Sequence, residues 1–195
     1  MKEIYDLIIS RRSIRKFEQK PIDTEILKKL VNTARLAPSM ANLQPLEYII
    51  INDPLTCEKI FNCLKWAGYI SPYGTPKENE RPVAYIIVLA NENINSDYKR
   101  DVGAAIENMI IAALSLGIGS CWLCNIDRDK IRSILEIPNK LIIDSVLALG
   151  YPKEKPVVET LTNSVKYWKD EKDILHIPKR SLNDILHINR YQTKI

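Results

Sequence analysis

The chain has 195 residues, 46% hydrophobic and 27% charged, which is enough apolar content to bury the core of one domain, or of one domain with an appendage. Its 28 basic and 24 acidic residues leave a formal net charge of +4, too mild an excess to argue for nucleic acid. No apolar run approaches the ~20 residues of a membrane span.

Residues 3–9 read as a short helix, and Pro21 breaks the chain after it. Asp23 is a plausible N-cap for a helix that places Ile26, Leu27, Leu30, Val31 and Ala34 on one face, with Pro38 just past its end. LEYIIIND at 46–53 reads as a strand, and 55–64 as a helix. Residues 66–82, with Gly68, Pro72, Gly74, Pro76 and Pro82, form a loop long enough to be a lid or part of a pocket. VAYIIVLA at 83–90 is apolar without alternation, as in a strand buried on both faces. The longest helical pattern covers 99–116; it is apolar nearly all round, which places it centrally or at an oligomer interface, and Gly117 is its C-cap. Asp127 caps a helix to about Glu136, and LIIDSVLALG at 141–150 is another buried strand. From Tyr151 the composition turns polar and proline-bearing, and the tail 165–195 offers few core positions of its own, so it is expected to pack on something, such as a second subunit. Helices alternating with short buried strands indicate α/β or α+β.

Four segments could carry chemistry. RRSIRKF at 11–17 puts four cations within six positions. It reads as a solvated positive turn or as a phosphate clamp, since arginine forks match phosphate oxygens and Ser13 adds a hydroxyl. In an extended segment Arg11, Ser13 and Arg15 would share one side. SRRSIRK also resembles a twin-arginine export signal, but the charged FEQKPIDTEILKK follows it, and MKEIYDLIIS is too charged for a secretory leader. The expected location is therefore the cytoplasm, with Cys57, Cys63, Cys121 and Cys124 as reduced thiols. The second segment, ARLAPSMANLQP at 34–45, sets Ser39, Asn42 and Gln44 between two prolines, either as a plain loop or as a rigid one able to hydrogen-bond a planar heterocycle. The third, LGIGSCWLCNID at 116–127, has backbone amides free to donate, a Trp122 that reads as a core residue, and a CxxC that reads as a thioredoxin-like pair or half a zinc site; its strand or turn setting argues against the first and the Cys57–Cys63 spacing against the second, and a thiol-redox or zinc-binding protein stands as the alternative function. The last, HIPKRSLNDIL at 176–186, is a surface turn into a short helix, with Lys179 and Arg180 able to add charge to the anion that Arg11 would meet. His176 and His187 read as structural or surface residues, and no Walker A, GxGxxG, GxSxG or HExxH motif occurs.

In this order and spacing, RRSIRKF, APSMANLQP, DVGAAIENMIIAALSLGIGSCWL and PKRSL resemble the FMN-dependent nitroreductase family over nearly the whole chain. The resemblance implies an α+β fold, a central and mainly antiparallel sheet flanked by helices, in a single domain (1–195) whose 151–195 extension packs on the partner of an intertwined homodimer. It implies FMN at the dimer interface, with Arg11, Arg12 and Ser13 on its phosphate and ribityl chain and Arg15 beside flavin N1 and O2. It likewise implies that Pro38, Ser39, Met40, Asn42 and Gln44 reach the flavin from the other subunit. Trp122, Leu123 and Cys124 would line the ring, and Lys179 and Arg180 would reach the phosphate. The implied reaction is ping-pong: NADH or NADPH reduces the flavin and leaves, and an oxidised acceptor such as a nitroaromatic or quinone takes its place. No catalytic side chain is implied, because the cofactor carries the chemistry. The chain departs from the family in its compact length and in Cys124, which stands where many relatives carry glycine or an acidic residue. Trp66, Tyr69 and Tyr73 either stack on a substrate or simply pack.

Overall fold

The computed structural model describes residues 3–191; residues 1–2, and the last four of the tail expected at 165–195, lie outside them. The chain runs α1 (Ile4–Ser10), β1 (Phe17–Glu18), α2 (Thr24–Arg35), β2 (Leu46–Ile51), α3 (Pro54–Phe61), β3 (Ala84–Ala90), α4 (Lys99–Ser115), β4 (Gly119–Leu123), α5 (Arg128–Leu135), β5 (Ile142–Pro152), β6 (Val157–Thr160), β7 (Trp168–Lys169), β8 (Leu175–Lys179) and α6 (Leu182–Ile185). Short 3₁₀ turns lie at Met40–Asn42, Gly68–Ile70 and Glu78–Glu80. Asp23, Asp53 and Asp127 begin α2, α3 and α5 by accepting a first-turn backbone N–H, from Glu25 at 2.8 Å, Thr56 at 2.8 Å and Lys130 at 3.2 Å. Helix α4 stops at Gly117, whose φ of +75° lets the Ile118 N–H turn back to the Ala113 carbonyl at 2.9 Å.

The main sheet is antiparallel throughout, with β5 at its centre. Strand β3 lies along one side of β5 and β4 along the other, β1 pairs the end of β5 through Tyr151 and Pro152, and β2 completes the far side of β3. Strand β3 lacks alternation because both its faces are covered. Tyr85, Ile87 and Leu89 join Cys57, Ile60 and Ile131 beneath α3 and α5, while Ala84, Ile86 and Val88 join Leu27, Ile106 and Met109 beneath α2 and α4. The result is three layers, with helices on both faces of an antiparallel sheet.

Helix α4 buries Val102, Ala105, Ile106, Met109, Ile110 and Ala113 and leaves Gly103, Ala104, Ile111 and Leu114 half-buried on its other side. Helix α1 lies against α4 yet buries none of its own residues; Ile4, Tyr5, Ile8 and Ile9 are all exposed. The tail differs from the expected coreless segment. Residues 157–179 build a second sheet in which β8 pairs β6 in parallel and β7 antiparallel, with Leu175 buried. From α6 onward Leu182, Ile185, Leu186, Ile188 and Tyr191 are exposed in the single chain. Among the described residues no helix is long and apolar enough to cross a membrane.

Candidate functional site

The arginine segment is an extended strand laid over two glycines. Ser13 bridges Ser120 in parallel, and the Ile14 N–H donates to the Ser120 carbonyl at 2.8 Å. Ile14 and Phe17 are the buried anchors, set against Gly119 of β4 and Gly150 of β5, which pair with each other across the ladder. Side chains larger than hydrogen at those positions would displace the strand, so the two glycines serve close approach rather than a turn. Ser13 and Arg15 flank the buried Ile14, as extended alternation requires.

Each cation meets different surroundings. Arg11 and Arg12 line a cleft of about 200 Å³ shared with Gly117–Ser120 and with Pro152, Glu154 and Pro156. Arg11 makes a loose ion pair with Glu107 of α4 at 3.8 Å, and Arg12 donates to the Ile9 carbonyl at 2.9 Å. Burial, and then the Arg11 charge, lower the Arg12 pKa; an arginine remains cationic at neutral pH regardless. The carboxylate of Glu154 accepts the backbone N–H groups of Arg15 and, at 3.1 Å, Lys16. Burial opposes the Lys16 charge, but the hydrogen bond and charge of Asp173, with the charges of Glu80 and Glu154, more than offset it and raise the pKa. The Arg15 guanidinium sits 5.0 Å from the centroid of the Tyr167 ring, and its buried Nε has no hydrogen-bond partner among the described residues.

The loop of Pro38, Ser39, Met40, Asn42 and Gln44 is held by the buried Asp101 at the start of α4. Asp101 accepts from the Ser39 hydroxyl at 2.5 Å and the Met40 N–H at 3.3 Å, and Ser39 Oγ accepts the Gln44 N–H at 2.9 Å. Ala41, Asn42 and Gln44 all take positive φ, conformations a plain loop would avoid. Pro38, Ser39 and Gln44 line a separate cleft of about 170 Å³ with Tyr48, whose hydroxyl is pushed up to about 12 by burial and then by the Asp101 charge. One chain therefore keeps the arginine strand and this loop in different clefts.

Strand β4 corrects the reading of Trp122 as a core residue: the indole is 41% exposed, whereas Leu123 and Cys121 point inward. All four cysteines are free, and only Cys124 is exposed. Burial pushes Cys121 up to about 11 and Cys57 up to about 12; Cys124 is also raised, by partial burial and then by Asp144, so none is a ready thiolate. Among the described residues no three His, Cys, Asp or Glu side chains gather as metal ligands. Lys179 and Arg180 are exposed and are not among the residues lining the Arg11 cleft; Arg180 donates to the Asp184 carbonyl at 2.7 Å. In the 66–82 loop Trp66 is buried and stacks on Phe61 at 5.7 Å, Tyr69 meets Tyr167 at 5.0 Å, and Tyr73 is 83% exposed. His176 has partners that no local motif signalled: Glu159 at 3.2 Å and Asp170 at 3.4 Å. Asp101, Glu154 and Tyr167 were also silent in the sequence, because each meets the segment it supports only through long-range folding.

These features define a helix-flanked antiparallel α+β domain with a cationic strand laid beside its central sheet. Residues 8–70 and 77–151 match the model of the nitroreductase family, and the chain belongs to that family. It is 33% identical over 163 residues to an Archaeoglobus fulgidus protein named for NADH dehydrogenase/NAD(P)H nitroreductase activity, covering 80% of this chain and 88% of that one. A crystal structure of a protein so named from Parabacteroides distasonis superposes with a TM-score of 0.73 at 23% identity, covering 98% of this chain and 100% of that chain. An FMN-dependent nitroreductase from Clostridium difficile R20291 superposes with a TM-score of 0.68 at 24% identity, covering 95% of this chain and 98% of that chain. As a member of the family the protein is an oxidoreductase.

Proposed function

We propose that the protein is an FMN-dependent NAD(P)H oxidoreductase that works as a homodimer in the cytoplasm. In this reading NAD(P)H and an oxidised acceptor, such as a nitroaromatic or quinone, use one pocket in turn. The observation that carries it is the Arg15 guanidinium, a cation set into the protein with its Nε buried and unpartnered among the described residues. A group so placed is costly unless a ligand acceptor completes it.

The donor set fits FMN. Arg11, Arg12 and Ser13 would hold the phosphate and ribityl chain, with Lys179 and Arg180 adding charge. Arg15 would stand beside the pyrimidine edge of the ring, and the backbone of Trp122, Leu123 and Cys124 would border it; the Leu123 side chain is buried and faces the core. Bound there, FMN supplies two-electron transfer. A fixed cation next to it favours the reduced form, which carries the added negative charge. The loop of Pro38, Ser39, Met40, Asn42 and Gln44 lines its own cleft, so a second copy would bring it to the flavin. The exposed apolar residues of α1 and of the chain after β8 supply surface for that second copy.

The test is FMN titration of apoprotein by fluorescence quenching, with Arg11→Ala and Arg15→Ala beside the wild type. Each charge-assisted contact is worth ~1.5–3 kcal/mol, so the dissociation constant should rise about tenfold or more in either variant. Wild-type protein that takes up no FMN, or two variants that bind it as tightly as wild type, would overturn the proposal.

A further inference from the structure

We infer that Tyr167 is a positioning residue for the Arg15 guanidinium, and that the small C-terminal sheet exists in part to deliver it. The inference rests on the flavin reading above and assigns a residue outside the four sequence segments that point to that reading.

Among the described residues no hydrogen bond or ion pair reaches the Arg15 side chain. The guanidinium lies instead over the face of the Tyr167 ring, 5.0 Å from its carbon to the centroid. That distance lies within the ~6 Å over which an aromatic quadrupole attracts a cation. An arginine carries several rotatable bonds, and one free to spread over its rotamers would present its charge to a ligand only part of the time. The ring face restricts that spread without taking a hydrogen bond from the guanidinium.

Tyr167 is itself held on both sides. Tyr69 from the 66–82 loop packs on it at 5.0 Å. The next residue, Trp168 of β7, stacks on His176 of β8 at 4.3 Å and donates its indole N–H to Glu159 of β6 at 2.8 Å. Glu159 and Asp170 grip the two nitrogens of His176, so all three strands of the small sheet converge on the residue beside Tyr167. Asp173 then takes Lys169 at 2.6 Å and reaches across to Lys16. The sheet therefore clips onto two consecutive residues of the cationic strand: Tyr167 on Arg15 and Asp173 on Lys16. Glu154, just ahead of the sheet, fixes the backbone of the same two residues. Two of these contacts, the Tyr167 ring and the Glu154 carboxylate, meet Arg15 itself, whose side chain has no hydrogen bond or ion pair among the described residues, and the third holds its neighbour Lys16.

The experiment compares Tyr167→Phe, Tyr167→Leu, Tyr167→Ala and Arg15→Ala with wild type in two measurements. One is the FMN dissociation constant of the apoprotein, and the other is the midpoint potential of the bound flavin by equilibration with a reference dye. Thermal melts of the apoproteins identify any variant whose sheet has come loose, and Tyr167→Leu keeps apolar bulk without a π face. Tyr167→Ala and Tyr167→Leu should weaken FMN roughly fivefold. They should also lower the potential by about 20 mV, a fivefold change for a two-electron couple. Tyr167→Phe, which keeps the ring face, should stay within about twofold of wild type in both. If Arg15→Ala weakens FMN while Tyr167→Leu matches wild type in affinity and potential, the positioning role is refuted and the flavin assignment stands. If wild-type protein takes up no flavin at all, both fall together.

Discussion

Substituting Gly150 by alanine tests the account of how the cationic strand is held. A Cβ built there lies 2.7, 2.8 and 2.9 Å from Cδ1, Cβ and Cγ of Phe17, where ordinary contact begins at 3.4 Å. The overlap is therefore about 0.5–0.7 Å against a ring that is fully buried. Relieving it costs ~1–3 kcal/mol, whether strand β1 shifts or Phe17 leaves its rotamer. Replacing glycine by alanine in a strand returns ~0.5–1 kcal/mol through the unfolded chain, so the net loss falls within about 0–2.5 kcal/mol and centres a little above 1 kcal/mol. For a chain of this length that lowers the melting temperature by ~2–8 °C. The sharper assay is a double-mutant cycle with Phe17→Leu, followed by thermal and urea denaturation. If the clash is the cause, shrinking the ring recovers part of the alanine penalty and the two effects fail to add by ~0.5 kcal/mol or more. A Gly150→Ala protein as stable as wild type, or effects that sum within error, would refute the close-approach argument.

Ile110 and Ile111 are neighbours in sequence with opposite roles. Ile110 is 5% exposed in the core, whereas Ile111 is half-buried on the outer face of α4. Ile111→Asp should keep its circular dichroism spectrum but weaken self-association roughly thirtyfold or more by burying an unpaired polar group, as sedimentation velocity would show. Asp101→Ala removes the acceptor of Ser39 and Met40; a loss of about 2–4 kcal/mol and faster proteolytic cleavage within 38–44 are expected. The buried thiols set a pH trend. Cys57 is raised from 9.0 to about 12 and Cys121 from 9.0 to about 11 in the fold, so between those values the unfolded chain loses protons that the native state keeps. Their stabilising effect is complete below about pH 9 and is lost as pH climbs through about 11–12. Urea midpoints should fall between pH 8 and pH 10.5, and fall less in Cys57→Ala and Cys121→Ala; a flat profile would count against this.

Much of the fold was legible because its signals are local. Asp23 and Asp127 announce helix starts by their side-chain chemistry, Gly117 announces an end, and the uninterrupted apolar run at 83–90 announces a strand covered on both faces. Strand β1 and the C-terminal sheet were not legible. Their strands span two to five residues and are stabilised by partners far along the chain, such as Pro152 for Phe17 and His176 for Val157. Periodicity needs more length than that to register. The candidate site divides the same way. Arg11, Arg15 and Ser39 stood out by residue type and spacing, while Glu154, Asp101 and Tyr167, which hold or orient them, sit in sequence surroundings with no motif. Trp122 misled for a related reason. Tryptophan is usually well buried, but strand alternation turns this one outward between the inward-facing Cys121 and Leu123.

The bond between Glu154 and the backbone of Arg15 spans 139 positions, so segments far apart in the chain meet at one spot. During synthesis the central sheet strands leave the ribosome well before the segment that carries Tyr167 and Asp173. A chain cut between Glu154 and Tyr167 would therefore keep every strand of the main sheet and the Glu154 bond, and lose the ring that faces the Arg15 guanidinium. The small second sheet, rather than the core, is thus what completes this locus.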